Sequence, residues 1–215
     1  MPVIRVFLTT IATDPDDPRL HLARAAYAWW SRQPDCLVTM QHLEGVEGSQ
    51  RLRHLLAYQS WQAAPDRPYY ILADDDIFPY ACIGKRGPDA LPHVLAWMDA
   101  HPAVTMCQPH LLNPHHGMLE LPEYVVGTIG GCRLIRGAAM QALLGHGGLP
   151  PLNPILRGGY DHTLCVALSD ATPDGTTGTY TPWWAVHAGW DCSSLRPRPQ
   201  RTGAGRDQSQ PARSA

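Results

Sequence analysis

The sequence predicts a single-domain α/β fold, in which helices flank a doubly wound and mostly parallel sheet. Segments of strand composition alternate with segments of helical apolar period over the first 73 residues, in the order strand, helix, strand, helix, strand. This alternation is typical of a parallel sheet with crossover helices. The chain has 215 residues and is 44% hydrophobic, which is enough for one substantial core.

Local signals set the predicted bounds of these elements. Pro18 is suited to the first turn of a helix, and Ser49 is a good N-cap for the next helix. The run Tyr69–Ala73 is apolar on both faces, which favours a buried strand. The predicted helices cover residues 18–32, 50–63, 89–100, 137–144 and 160–171, and the predicted strands cover 3–10, 36–41, 69–73, 103–108, 132–135 and 179–186.

Composition divides the chain into a folded domain over residues 1–192 and a disordered Arg/Pro-rich tail over 193–215. The tail has five arginines against one aspartate, a net charge of +4, whereas the whole chain has a net charge of −2. A tail of this kind can bind phosphates diffusely, but we interpret it as an inert solubilising segment.

Cysteine spacing and hydropathy indicate the compartment. The six cysteines include no Cys-x-x-Cys pair, and no run approaches the roughly 20 apolar residues that span a bilayer. We therefore expect a cytoplasmic protein with reduced cysteines and no membrane partner.

Three consecutive carboxylates, Asp74, Asp75 and Asp76, follow the buried strand directly. Ligands bind at the carboxyl ends of strands in open α/β sheets, so this is a candidate site. Carboxylates are hard oxygen ligands that favour Mg²⁺ or Mn²⁺. On extended chain the outer two side chains share one face, so Asp74 and Asp76 are predicted to face one cation while Asp75 points away. A solvated acidic turn is the alternative.

Further candidate residues lie at other element ends. His187 closes the last predicted strand, and imidazole beside two carboxylates favours Mn²⁺ over Mg²⁺. Arg51 and Arg53 lie near a helix start, where a phosphate is a natural partner for arginine. Asp161 near another helix start is a candidate general base or, alternatively, a capping residue. The neighbouring His162 is the second choice for the base.

The histidines and tryptophans that lie close together in the sequence can have either binding or structural roles. Trp183, Trp184 and Trp190 can form an apolar platform under a bound ligand, or pack in the core. Three histidines lie close together in the sequence, at His110, His115 and His116. No fourth ligand at the spacing of a zinc site accompanies them, so we interpret them as loop residues.

The order of motifs resembles the glycosyltransferases of the GT-A fold, a Rossmann-like fold, and is closest to small family-2-like enzymes. The resemblance covers roughly residues 3–191 and rests on these segments: the strand ending at Thr9-Thr10, GSQRLRH at 48–54, LADDD at 72–76, and GGCRLIRGAAM at 130–140 with GYDHTL at 159–164. The chain departs from the family pattern where it lacks an Asn after the arginines and where Tyr160 replaces a Glu. The Gln-x-x-Arg-Trp segment of larger processive synthases is absent.

The resemblance implies a metal-dependent enzyme that moves a sugar from a nucleotide sugar, in the first instance a UDP-sugar, to an acceptor hydroxyl. It implies an Asp-x-Asp motif at Asp74 and Asp76 with His187 as a last metal ligand, and Asp161 as the base of an inverting, hexosyl-type transfer. Its donor-binding residues are Thr9 and Thr10 for the base and Arg51 or Arg53 for phosphate. From residue chemistry, Asp75 is expected to meet a sugar hydroxyl or a backbone amide, and Gly130 and Gly131 either allow close approach of the sugar or form a simple tight turn.

Three other functions compete with this one. A nucleotidyltransferase on the same sheet usually begins with a glycine-rich loop, and TTIATDPDDP at 9–18 has no glycine. A catalytically inactive nucleotide-sugar-binding module would not need Asp161 beside the metal ligands. A phage-type DNA glycosyltransferase would act on 5-hydroxymethylated bases flipped out of the stack, whereas a saccharide or small-molecule hydroxyl is the leading acceptor.

Overall fold

The structure is a computed structural model that describes residues 2–10, 12, 14–43, 49–82, 85–86, 90–112, 121–127, 129–151 and 159–188. The predicted tail over 193–215 lies outside these residues, as do His115, His116 and Trp190. The division into a domain over 1–192 and a tail therefore stays a prediction. None of the helices in the described ranges is long and apolar enough to cross a bilayer.

The described part of the chain forms nine strands and five helices. The helices are α1 Pro18–Ser31, α2 Ser49–Ala63, α3 Ala90–Ala100, α4 Gly137–Gly145 and α5 Gly159–Asp170. The strands are β1 Ile4–Thr10, β2 Cys36–His42, β3 Tyr69–Asp74, β4 Ile77–Cys82, β5 Lys85–Arg86, β6 Val104–Leu112, β7 Tyr124–Val126, β8 Cys132–Arg136 and β9 Thr176–His187.

All nine strands belong to one mixed sheet, in the order β2-β1-β3-β8-β6-β9-β4-β5, with β7 paired to β9. Strands β2, β1 and β3 are mutually parallel, as are β6 and β9, whereas β8 runs antiparallel to both of its neighbours. The α/β class, the single domain and the flanking helices are thus confirmed. The antiparallel β8 is the main departure from a simple doubly wound order.

Two apolar clusters cover the two faces of the sheet. Residues of β1 and β3 alternate between them, because successive side chains of a strand point to opposite faces. Ile71 packs in one cluster and Tyr70 and Leu72 in the other, and all three are fully buried. Strand β3 is therefore covered on both sides, as its apolar sequence predicts.

Two predicted strand boundaries were wrong, and strand β4 was not predicted. The chain after Asp76 forms β4, which pairs with the far end of β9, from Ile77 opposite His187 onward. Strand β9 begins at Thr176 rather than residue 179, and β6 continues to Leu112 rather than ending at residue 108. These strands are extended by pairing with one another, which local composition does not encode.

Candidate active site

The acidic segment is a turn that leaves β3 and enters β4. Asp74 is the last residue of β3, and its backbone N–H donates to the Gly131 carbonyl at 2.6 Å. The Asp76 carbonyl accepts from the Ala188 N–H at 2.7 Å. The turn is therefore fixed on one side by the segment before β8 and on the other by the end of β9.

Asp76 and His187 lie side by side. His187 Nε2 is 3.2 Å from Asp76 Oδ2, and the Asp76 side chain is only 8% exposed. The hydrogen bond with Asp76 raises the pKa of His187, although burial opposes the rise. The imidazole is thus held against the carboxylate by charge as well as by the strand pairing of β9 with β4.

Asp74 faces two arginines. Arg53 Nη1 lies 2.6 Å from Asp74 Oδ1, and Arg133 Nη1 lies 3.7 Å from the same oxygen. Burial alone would raise the pKa of Asp74, but the two guanidinium groups lower it overall. Asp74 is therefore an ionised carboxylate whose Oδ1 is engaged by arginine.

Asp161 lies in the first turn of α5 and meets the same two arginines. Its Oδ1 is 2.7 Å from Arg133 Nη2 and 3.8 Å from Arg53 Nη2. A Cβ built on Gly130 would lie 3.0 Å from Asp161 Oδ2, so this second oxygen faces the backbone of Gly130. Asp74, the candidate metal ligand, and Asp161, the candidate base, thus share the same two arginine partners.

Asp75 has a different partner. Arg19, in the first turn of α1, donates from Nε to both carboxylate oxygens at 3.0 and 3.1 Å, and its Nη2 is 2.8 Å from Oδ1. The Asp75 side chain is fully buried. Burial raises the pKa of Asp75, whereas hydrogen bonds from Arg19 and Thr10 oppose the rise. This pairing gives Asp75 an internal counter-charge.

Of the other predicted site residues, some lie beside these carboxylates and arginines and some lie away from them. Thr9 stands opposite Asp74 in the parallel register of β1 and β3, and both Thr9 and Thr10 are buried. Arg51 is exposed and donates to the Leu149 carbonyl at 2.8 Å, so Arg53 rather than Arg51 joins the carboxylates. Trp183 is buried in the core and Trp184 is half-buried.

Gly130 and Gly131 line the same cleft. Gly131 has φ +81°, and a Cβ there would lie 4.0 Å from Asp74 Oδ2. The Gly130 N–H donates to Gln108 Oε1 at 2.7 Å, which fixes this backbone in front of Asp161. The two glycines thus bring backbone close to the second oxygens of Asp74 and Asp161, where a side chain would not fit without shifts.

Sequence reasoning missed Arg19, Gln108 and Arg133. Arg133 is fully buried on β8. A signal for it existed, because an arginine inside the apolar run Cys132–Ile135 needs a counter-charge. Arg19 and Gln108 carry no comparable signal, since their partners are far away in sequence.

The comparisons with known proteins concern the fold. No protein-family model and no curated protein matches the chain. Among solved structures, A197 from STIV is similar with a TM-score of 0.50 and 12% identity, over 86% of this chain and 85% of that one. A glycosyltransferase involved in the glycosylation of the major capsid of PBCV-1 has a TM-score of 0.49 and 10% identity, over 84% and 82%. These likenesses assign no residue role to this chain.

The donor atoms of Asp76 and His187 fit a divalent cation. Two ligand atoms about 2.1 Å from one ion and at right angles lie about 3 Å apart, close to the Asp76–His187 separation. Three arginines face four carboxylates in the described cluster, and Asp76 Oδ2 lies 3.5 Å from Arg19 Nη2 as well as 3.2 Å from His187 Nε2. Within the described residues no three His, Cys, Asp or Glu side chains form a complete ligand set, so Asp74 as a third ligand stays a prediction.

Proposed function

We propose that the protein is a metal-dependent glycosyltransferase that uses a nucleotide-sugar donor, with a UDP-sugar as the first candidate. One observation carries the proposal: Asp74, Asp76, Arg53, Asp161 and His187 come from β3 with the turn after it, α2, α5 and β9, and lie together at the carboxyl ends of β3 and β9. These groups supply what transfer from a diphosphate needs, namely cation ligands, a phosphate partner and a base.

The donor diphosphate is expected at Arg53 and at the Asp76–His187 pair. A guanidinium can bind a phosphate through two parallel N–H groups, so the diphosphate would compete with Asp74 for Arg53. Asp76 and His187, with Asp74, would hold Mn²⁺ or Mg²⁺. Bound there, the cation would supply Lewis-acid neutralisation of the leaving diphosphate. Thr9 and Thr10, at the end of β1, remain the proposed neighbours of the nucleotide base.

Asp161 is proposed as the general base of an inverting transfer. It takes the proton of the acceptor hydroxyl, whose oxygen bonds to the anomeric carbon as the bond to the diphosphate oxygen breaks. The nucleoside diphosphate leaves with the bonding electrons. One carboxylate is sufficient for this displacement, and the Asp161 side chain is 22% exposed, with Oδ2 as the oxygen that no arginine engages. NMR of the anomeric proton of the product tests the stereochemistry, and retention would remove Asp161 from the base role.

The test is a panel of nucleotide sugars assayed for Mn²⁺-dependent release of the nucleoside diphosphate. We expect Asp74→Ala and Asp76→Ala to lower turnover at least 100-fold, which corresponds to about 2.7 kcal/mol of lost transition-state stabilisation. Asp170→Ala, an exposed position at the far end of α5, is the matched control and should keep wild-type turnover. Undiminished turnover in both aspartate variants would contradict the proposal.

A nucleotide-sugar-binding module without turnover is the second candidate. The observation that favours it is the pairing of Asp161 Oδ1 with Arg133, which engages one oxygen of the proposed base. Calorimetry with UDP and Mn²⁺ separates the two functions, because a binding module binds UDP but releases none from a UDP-sugar.

The acceptor is proposed to be a saccharide or small-molecule hydroxyl. DNA that contains 5-hydroxymethylcytosine is the alternative, and labelled-sugar transfer to such DNA tests it directly. Repeating the assay with a chain truncated after Cys192, across a salt series, tests whether the arginine-rich tail contributes. No transfer with any donor eliminates the DNA acceptor.

A further inference from the structure

Arg133 is a buried charge between two elements of the candidate site. Its side chain is 1% exposed, and its guanidinium reaches Asp161 on α5 at 2.7 Å and Asp74 at the end of β3 at 3.7 Å. A buried guanidinium is stable only when counter-charges satisfy it. The two carboxylates supply the counter-charge of Arg133, and its Nη2 is hydrogen-bonded to Asp161, while Nε and Nη1 have no hydrogen-bond partner among the described residues.

Arg53 contacts the same two carboxylates with the distances reversed. It is 2.6 Å from Asp74 and 3.8 Å from Asp161, so the four side chains form a closed ring of alternating charge. The two arginines are anchored differently. Arg133 projects from strand β8 in the middle of the sheet, whereas Arg53 projects from α2 with 9% of its side chain exposed. Arg53 is therefore the member that a donor phosphate can reach, and Arg133 is the fixed member.

The two oxygens of Asp161 have different surroundings. Oδ1 is directed at the two guanidinium groups, while Oδ2 faces Gly130, where a Cβ would come within 3.0 Å. Gly130 itself is held by the hydrogen bond from its N–H to Gln108. The carboxylate is thus held on one side by Arg133 and lies against a fixed backbone on the other. The Asp161 side chain is still 22% exposed, and Oδ2 is the oxygen that no arginine engages.

We propose that Arg133 is the positioning residue for the base: by binding Asp161 Oδ1 it directs Oδ2 towards the acceptor hydroxyl. The role rests on the proposed transferase function and deepens it. Arg133 acts through Asp161 and contacts neither donor nor acceptor. When the donor diphosphate takes Arg53, Arg133 still holds Asp161, so the base keeps its place during donor binding.

The test substitutes Arg133→Lys in the full chain, with Arg136→Lys as the matched control. Lysine keeps the charge but lacks the fork that binds a carboxylate in a fixed plane. Arg136 lies on the same strand and donates to the Val104 and Met98 carbonyls, away from the carboxylates. We expect Arg133→Lys to lower kcat about 10–100-fold with UDP affinity changed less than about 3-fold, and Arg136→Lys to leave both within about 3-fold.

A double-substitution cycle separates positioning from general structure. In an Asp161→Asn background, Arg133→Lys should lower the residual kcat less than about 3-fold, because the residue that it positions is gone. Three outcomes would overturn the inference: an unchanged kcat in Arg133→Lys, an equal loss of kcat and UDP affinity, or the same fall in both backgrounds.

If thermal unfolding shows that Arg133→Lys does not fold, Gly130→Ala decides. Its Cβ would crowd Oδ2 of a carboxylate that Arg133 holds in place, so kcat should fall at least 10-fold with UDP still bound. Wild-type kcat in Gly130→Ala would mean that Asp161 moves freely, and would overturn the inference. Failure of the proposed function looks different, since the wild-type protein would then turn over no nucleotide sugar.

Discussion

Arg19 binds both carboxylate oxygens of Asp75 through its Nε, and the Asp75 side chain is fully buried. The helix α1 is thereby connected to the acidic turn, because Arg19 follows directly after Pro18 at the helix start. Asp17, the N-cap, accepts from the Arg19 N–H at 2.8 Å and fixes the first turn from the other side. We therefore expect the middle aspartate to stabilise the turn.

Asp75→Asn is expected to lower the free energy of unfolding by about 2–3 kcal/mol. Without the Asp75 charge, Arg19 keeps only the more distant Asp76 carboxylate at 3.5 Å. Because Arg19 is also 29% exposed, the loss should fall below that of a fully buried pair. Urea unfolding measures it. Asp66→Asn, in the exposed pair with Arg5, is the control and should cost less than about 1 kcal/mol. Equal losses in the two variants would contradict a structural role for Asp75.

His187→Ala and Asp76→Asn are each expected to weaken Mn²⁺ binding in the presence of UDP at least 10-fold. The physical reason is the loss of one of two adjacent ligand atoms. Calorimetric titration with Mn²⁺ measures the affinity, and chelation of the metal should abolish turnover in the wild-type protein. His146→Ala, at the exposed C-cap of α4, is the control. Wild-type Mn²⁺ affinity in His187→Ala would exclude His187 as a ligand.

His54 is expected to make stability fall in mild acid. It is fully buried, and both ring nitrogens lack a hydrogen-bond partner among the described residues. Burial lowers its pKa well below the ordinary 6.5, and the nearby Arg133 and Arg53 lower it further. Below pH 6.5 the unfolded chain therefore binds a proton at His54 that the folded chain does not. The contribution of His54 to the free energy of unfolding is thus fully present above pH 6.5 and is lost as the pH falls.

The measurement is urea unfolding of the wild-type protein and of His54→Gln between pH 7 and pH 5. The stability of the wild-type protein relative to the variant should decrease over this range by about 2 kcal/mol, since each pH unit below 6.5 is worth at most about 1.4 kcal/mol. His21→Gln, at an exposed position of α1, should follow the wild-type curve. If the difference in free energy of unfolding between wild type and His54→Gln does not change with pH, the pKa of His54 is not lowered on folding and the prediction is wrong.

Gly131→Ala is expected to destabilise the protein by about 1–2 kcal/mol. Gly131 has φ +81°, a left-handed conformation that costs other residues this amount, and its Cβ would lie 2.5 Å from Ile77 Cδ1. Thermal or urea unfolding measures the change. Gly145→Ala, at the last residue of α4 with open space around it, should instead be neutral or slightly stabilising. No loss of stability in Gly131→Ala would contradict the assigned backbone conformation.

The sequence predicted the elements well and the pairings less well. Apolar runs and caps are local, so β1, α1, β2, α2 and β3 were found within one or two residues. The place of β8 between β3 and β6 depends on contacts between residues such as Leu72 and Arg133, which lie about 60 positions apart. Local composition contains no such information.

The same distinction holds for the candidate site. The acidic turn, Arg53, Asp161 and His187 were predicted as site candidates because carboxylates and cations at element ends are unusual in themselves. Their partners were not found, because an ion pair such as Arg19 with Asp75 is a property of the folded chain. The assignments of metal ligand, donor contact and base stay predictions that the substitutions above address.

The attachment of β4 to β9 has a consequence for folding order. Ile77 pairs with His187 across about 110 residues, and closing so long a loop is entropically costly. The acidic turn therefore reaches its final position only after the last strand has joined the sheet. A nascent chain that lacks β9 retains Asp76 but neither its imidazole partner nor the Ala188 backbone contact. The proposed cation site should thus be complete only in the fully folded chain, so in refolding cation binding should not precede the pairing of β4 with β9.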